Sequence, residues 1–195
     1  QLGALRDIDF GIVPYTSSSY TISSFAPIGA GIPFAHLDKA IGIMKAYSSC
    51  VGEGPFVAET AMGEAWNEKL RESGGEFGAA TGRPRRVGPF DAVASRYGIR
   101  CQKAQDIALT KLDVLGAFDK IPVITGYRLH GVLLDSFPTD SRLEEAEPVI
   151  EELPGWGCDI SGCRSWKDLP ENARKYVCTL EKLVDNPIYL VSTGA

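Results

Sequence analysis

The four residues Thr110-Lys111-Leu112-Asp113 form a unit whose types and spacing suit one chemistry. Guanine presents its N1–H and its exocyclic N2–H2 along one edge, and a single carboxylate accepts from both. Hydrogen bonds to a charged partner contribute about 1.5–3 kcal/mol each. Adenine lacks that donor pair, so a carboxylate at Asp113 would discriminate between the two bases. The segment Ile107–Leu112 reads as a buried strand. Extended spacing then puts Lys111 on the same side as Asp113, with its aliphatic stem free to lie across a purine ring. The same tetrapeptide also fits a surface Lys–Asp pair at a strand end. A second strand end, Val191-Ser192-Thr193-Gly194, offers backbone N–H groups and a glycine that admits a flat ligand. Ligands of open α/β sheets bind beyond the carboxyl ends of the strands. Alone it is an ordinary turn, but together the two strand ends outline a guanine pocket.

The third unit is Gly74–Gly88, GGEFGAATGRPRRVG. Gly74, Gly75, Gly78 and Gly82 predict a mobile loop, and Thr81 adds a hydroxyl. Arg83 and Arg85 present planar forks suited to carboxylate or phosphate, whereas Arg86 reads as a solvated cation. Such a loop is suited to closing over an anionic substrate. A solvated basic loop is the alternative. RNA binding is disfavoured because no aromatic residues interleave with the arginines. Thr16–Thr21 holds five hydroxyl residues in six positions and is either a phosphate-ligating loop or a turn segment.

These units need elements to hold them. Leu37, Ala40, Ile41 and Met44 fall on one helical face, which predicts a helix over 35–47. A weaker helix is predicted over 60–71, and a short one over 90–97 with Asp91 near its start. The run Ile121–Phe137 contains two strands around His130-Gly131, a predicted hairpin. Residues 147–156 read as a strand ending at Pro154-Gly155. The strongest helix is predicted over 168–185, with Asp168 and Glu171 as a capping-box variant. A final strand runs from Pro187 into the Ser-Thr-Gly turn. The fold class expected is α/β: a mixed, largely parallel sheet flanked by helices, with a small antiparallel hairpin.

Composition bounds the function. The chain has 195 residues, 44% hydrophobic and 23% charged, enough for one domain with a sizeable core. A formal net charge of −5 argues against nucleic acid or an anionic membrane as general partner. No apolar run approaches the ~18 residues that span a bilayer. The five cysteines are odd in number and scattered, without zinc-ligand spacing. They read as reduced thiols of a cytoplasmic protein. The chain opens at Gln1 and stops at Ala195 directly after a strand and its turn, which suggests part of a larger domain.

Taken in order, DIDFG, PYTSSSYT, GIMKAYSSCVGEGPFVAET, GGEFGAATGRPRRVGPFDAVASRYGIR, LTKLDVLGAFDKIPV, EPVIEELPGW, DLPENARKYV and VSTG resemble the adenylosuccinate synthetase family across nearly all 195 residues. The resemblance implies a GTP- and Mg2+-dependent ligase that joins IMP to L-aspartate. It implies that Lys111, Leu112 and Asp113 recognise guanine with Ser192, Thr193 and Gly194, and that Arg85 reaches the GTP side. The loop Ala79, Ala80, Thr81, Gly82, Arg83, Pro84 and Arg85 would hold aspartate. Thr16, Val51, Arg83 and Gln1 would contact IMP, and the protein would be a homodimer. The family's phosphate loop, catalytic Asp and His, and most of its magnesium site precede the segment matched here. No catalytic residue or metal ligand is therefore expected in this chain, which should be inactive alone. Gln1 stands one position early relative to the family pattern, the Thr16 segment is one residue short, and Ala80 replaces a usual threonine. A non-catalytic guanine-nucleotide or anion-binding module is the other function that fits.

Overall fold

The computed structural model describes residues 2–194; Gln1, an expected IMP contact, lies outside the described residues. In chain order the elements are α1 (Leu2–Leu5), α2 (Ala26–Gly29), β1 (Ile41–Lys45), β2 (Ser48–Cys50), α3 (Val57–Thr60) and α4 (Glu64–Gly74). Then follow β3 (Arg86–Gly88), β4 (Phe90–Asp91), α5 (Ala92–Gln102), β5 (Asp106–Thr110), β6 (Lys120–Leu129), β7 (Val132–Leu133), β8 (Glu147–Pro154), α6 (Glu171–Val184) and β9 (Ile188–Val191).

Strands β1, β5 and β9 make a parallel sheet with β5 in the centre. The register pairs Lys45 with Thr110 and Leu109 with Val191, so all three strands end at one level. Buried residues of β5 (Ile107, Leu109) meet Leu70 of α4 and Ala173, Tyr176, Val177 and Leu180 of α6 in one core. Each large side chain so buried contributes about 1.5–3 kcal/mol. The Tyr176 hydroxyl also donates to the Ala46 carbonyl at 2.6 Å, tying α6 to the end of β1. A second sheet joins β4 to β6 in parallel, with β7 and β8 antiparallel to β6. The predicted hairpin is β6–β7, turning at His130-Gly131. The mixed α/β class therefore stands, with β8 extending the antiparallel part along eight residue pairs.

One predicted element is of the other kind. The helix expected over 35–47 is instead strand β1 for Ile41–Lys45. Glycine and β-branched residues alternate at Ile41-Gly42-Ile43, a run that favours extended backbone. Pairing decides it: β1 lies parallel beside β5 with Gly42 opposite Ile107, and a Cβ on Gly42 would sit 2.9 Å from the Ile107 Cδ1, which would have to turn aside. The capping box also moves. Asp168 caps with Ser165 the 3-10 turn Trp166–Asp168, and α6 begins after Pro170 without a side-chain cap.

Asp91 caps α5, accepting from the Ala94 N–H at 3.0 Å, and it accepts from the Tyr127 hydroxyl as well. Burial pushes its carboxyl up to about 6, against the opposing pull of Tyr127 and the backbone N–H groups. In the unfolded chain the group ionises near 3.8. Between those values the folded protein holds the extra proton. The contribution of Asp91 to stability therefore falls as pH rises through that window and stays low above it. Asp91→Asn keeps the cap acceptor and removes the titration. Thermal unfolding at pH 4 and pH 7 should show the variant gaining on the wild type by about 2 kcal/mol as pH rises. A pH-independent difference would reject the assignment.

Candidate functional site

The ends of β1, β5 and β9 build one wall. Strand β5 stops at Thr110, earlier than the sequence predicts, because Lys111 takes a left-handed conformation with φ of 62°. A non-glycine residue there is strained, and such strain gathers at functional sites. Lys111 and Asp113 are thus not successive same-side residues of a strand. Lys111 turns to donate its Nζ to the Gly74 carbonyl at 3.2 Å, at the end of α4. Asp113 opens the 3-10 turn Asp113–Ala117. Leu112 is fully buried, and its N–H donates to the Ser192 carbonyl at 3.3 Å. This bond and that from the Ser192 N–H to the Leu109 carbonyl (2.8 Å) fasten the turn after β9 to the turn after β5. Thr193 Oγ1 donates to the Cys163 carbonyl at 3.3 Å.

Gly194 closes this corner. Its φ of 116° is open only to glycine, and a Cβ there would lie 3.5 Å from the Asp113 Oδ2. The structure therefore brings Lys111, Leu112, Asp113 and the Ser192-Thr193-Gly194 turn together. Asp113 Oδ1 is buried and has no hydrogen-bond partner among the described residues. A carboxylate oxygen removed from water with nothing to accept from is costly, and such groups call for an explanation. A donor from outside the chain would satisfy it.

The glycine-arginine loop lines a cavity of about 430 Å3. One wall is Gly78, Thr81, Arg83, Pro84, Arg85 and Arg86; the other is Cys50-Val51-Gly52-Glu53-Gly54. Ala79, Ala80 and Gly82 lie on the loop but outside the cavity lining. The loop is a closed hairpin. Phe77 and Pro84 form a bridge, and the N–H groups of Gly78 and Gly82 donate to the carbonyls of Arg83 and Gly78, each at 2.8 Å.

The three arginines differ in what they hold. The guanidinium of Arg83 meets no partner among the described residues and faces the cavity. Arg85 donates to Glu76 Oε2 at 2.9 Å. Arg86, read from the sequence as a solvated cation, is a clamp instead. It donates to Glu59 Oε2 at 2.6 and 2.8 Å, and to the carbonyls of Gly52 and Gly54 at 3.2 and 2.8 Å. Arg6 holds the same glycine loop from the far side, donating to the carbonyls of Val51 (3.4 Å), Glu53 (2.8 Å) and Tyr15. Thr16, which follows Tyr15, does not line the cavity. Sequence patterning singled out neither Arg6 nor Glu59, whose partners Glu53 and Arg86 lie 47 and 27 positions away. Among the described residues no three His, Cys, Asp or Glu side chains gather where a cation could sit. Nor is any helix among them long and apolar enough to cross a membrane.

A cavity walled by arginines and a carboxylate oxygen without a partner at the ends of parallel strands define a mixed α/β protein with a candidate site for an anionic ligand. The adenylosuccinate synthetase family model matches residues 1–195. The chain is 49% identical over 194 residues to the adenylosuccinate synthetase of Pelobacter propionicus, covering 99% of this chain and 45% of that protein. It is 50% identical over 193 residues to that of Trichlorobacter lovleyi, covering 98% and 44% respectively. The structure of fully ligated adenylosuccinate synthetase from Plasmodium falciparum superposes with a TM-score of 0.90 at 37% identity, covering 98% of this chain and 46% of that one. The chain belongs to the adenylosuccinate synthetase family, and it spans just under half the length of these relatives.

Proposed function

We propose that this chain is the guanine-recognising and aspartate-binding portion of a GTP-dependent ligase that makes adenylosuccinate from IMP and L-aspartate. The observation that carries the reading is the buried, unpartnered Asp113 Oδ1 beside Gly194. It asks for the paired donors that guanine carries and adenine lacks. The reaction moves the γ-phosphoryl of GTP to O6 of IMP, releasing GDP. The aspartate amine then attacks C6, phosphate leaves with O6, and the amine gives up a proton. In this reading Arg83 and Thr81 face aspartate, Arg83 also reaches IMP, and Arg85 faces GTP. The backbone at Val51 lies near the IMP ribose, and Thr16 sits toward its phosphate. Magnesium, when bound, supplies charge neutralisation on the phosphates, held by residues outside this chain. The complete protein would act in the cytoplasm as a homodimer.

The test uses the complete protein that contains this chain. Phosphate release should require IMP, aspartate and GTP together, and GTP should be preferred over ATP. The 195 residues alone should release none. Phosphate release that is indifferent to aspartate, or equal with ATP, would overturn the reading.

A further inference from the structure

Glu76 is 1% exposed, and its carboxylate is surrounded by donors. Oε1 accepts from Lys45 Nζ at 2.7 Å and from the Tyr47 hydroxyl at 2.5 Å. Oε2 accepts from Arg85 Nη1 at 2.9 Å. Burial alone would raise its pKa, but the hydrogen bonds from Lys45, Tyr47 and Arg85 hold it below the ordinary carboxylate value. The backbone fixes the carboxylate from both sides. The Glu76 N–H donates to the Arg71 carbonyl, and the Arg85 N–H to the Glu76 carbonyl, each at 2.9 Å. Arg71 Nε in turn donates to the Arg85 carbonyl at 2.9 Å. Glu76 therefore has no freedom to follow a ligand.

Arg85 is different. Only Nη1 of its fork is engaged, and the side chain is 33% exposed along the cavity wall. One anchored nitrogen holds that edge of the guanidinium against Glu76 and leaves its other nitrogens without a partner among the described residues. An unanchored arginine gives up rotamer entropy when a ligand immobilises it. Anchoring removes that cost in advance. The same carboxylate grips Lys45, the last residue of β1. Two positions before it in the chain, Gly74 receives Lys111. The loop's arginine and the base corner are thus referenced to one buried group.

Resting on the functional reading above, we infer that Glu76 is a positioning residue that pre-orients Arg85 for the nucleotide triphosphate. Its action passes through Arg85 rather than through contact with substrate. In the complete protein, Glu76→Gln should raise the KM for GTP about tenfold while the KM for aspartate changes by less than about twofold. The deciding measurement is a double-mutant cycle with Arg85→Met. If Glu76 works through Arg85, the double variant has the same GTP KM as Arg85→Met alone. Additive effects, or equal rises in the KM of every substrate, would overturn the inference. Should Glu76→Gln fail to fold, Glu76→Asp keeps the charge, retracts the carboxylate by one methylene, and carries the same cycle. The two levels separate cleanly. A GTP KM unmoved by Arg85→Met refutes the assignment of Arg85 to GTP, and the role of Glu76 with it. A rise with Arg85→Met but none with either Glu76 variant refutes only the role of Glu76.

Discussion

Replacing Asp113 by Asn in the complete protein should lower kcat/KM for GTP by about 100-fold or more and make xanthosine triphosphate the better substrate. In the proposed reading the carboxylate accepts two donors from guanine, each bond contributing about 1.5–3 kcal/mol. An amide keeps one acceptor and turns a donor toward the guanine amino group, so one bond is lost and a repulsive contact replaces it. Xanthine keeps N1–H and carries a carbonyl at C2, which matches the amide on both positions. The folded protein should tolerate the change. Asp113 Oδ1 is buried with no partner among the described residues, so the amide replaces an oxygen whose charge no donor there offsets. Unfolding temperature should hold or rise while GTP use collapses, the pattern of a group kept for function at a cost in stability. If GTP and xanthosine triphosphate suffer alike, or if the variant is simply less stable, Asp113 is not the base reader.

The parts of the site that the sequence disclosed are those whose members are neighbours in the chain. Thr110–Asp113, Ser192–Gly194 and the glycine-arginine loop each carry their chemistry within a few residues, and their flanking strands β5 and β9 alternate or run apolar. The hairpin β6–β7 was legible because His130-Gly131 interrupts two apolar runs. What stayed hidden was whatever depends on a partner far along the chain. Ile41–Lys45 has helical spacing on its own, and only the close approach to Ile107 in β5 makes it a strand. The short pair β2–β3 shows no sequence pattern, since three residues each are too few for periodicity. Arg86 reads as one more surface cation until Glu59 and the Gly52–Gly54 carbonyls are seen to surround it. Glu76, set among glycines, was not singled out by the sequence patterning. Its burial follows from Lys45 and Tyr47 some thirty positions away, a relation no local window contains. The left-handed Lys111 was hidden for the same reason: the turn that bends it is fastened from β9.

Arg83 offers the second large effect because it is the loop arginine with no structural employment. Arg85 and Arg86 are each held by a carboxylate, so their removal disturbs the protein as well as any ligand. The Arg83 guanidinium has no partner among the described residues, and its backbone is held independently by the bond between the Gly78 N–H and its carbonyl. Arg83→Leu should therefore leave the unfolding temperature within a degree or two of wild type, since surface changes away from such contacts cost less than about 0.5 kcal/mol. Its kinetic effect then reports ligand contact alone. A guanidinium on an aspartate carboxylate makes charge-assisted, two-pronged bonds, and losing them should raise the KM for aspartate by about 100-fold. The KM for GTP should move by less than about threefold, since the proposed reading gives the GTP contact to Arg85. A lysine at the same position should recover only part of the loss, because an ammonium carries the charge without the fork. Equal rises for aspartate and GTP would place Arg83 between the two ligands or outside both. Full recovery by lysine would show that charge, and not geometry, is what this position supplies.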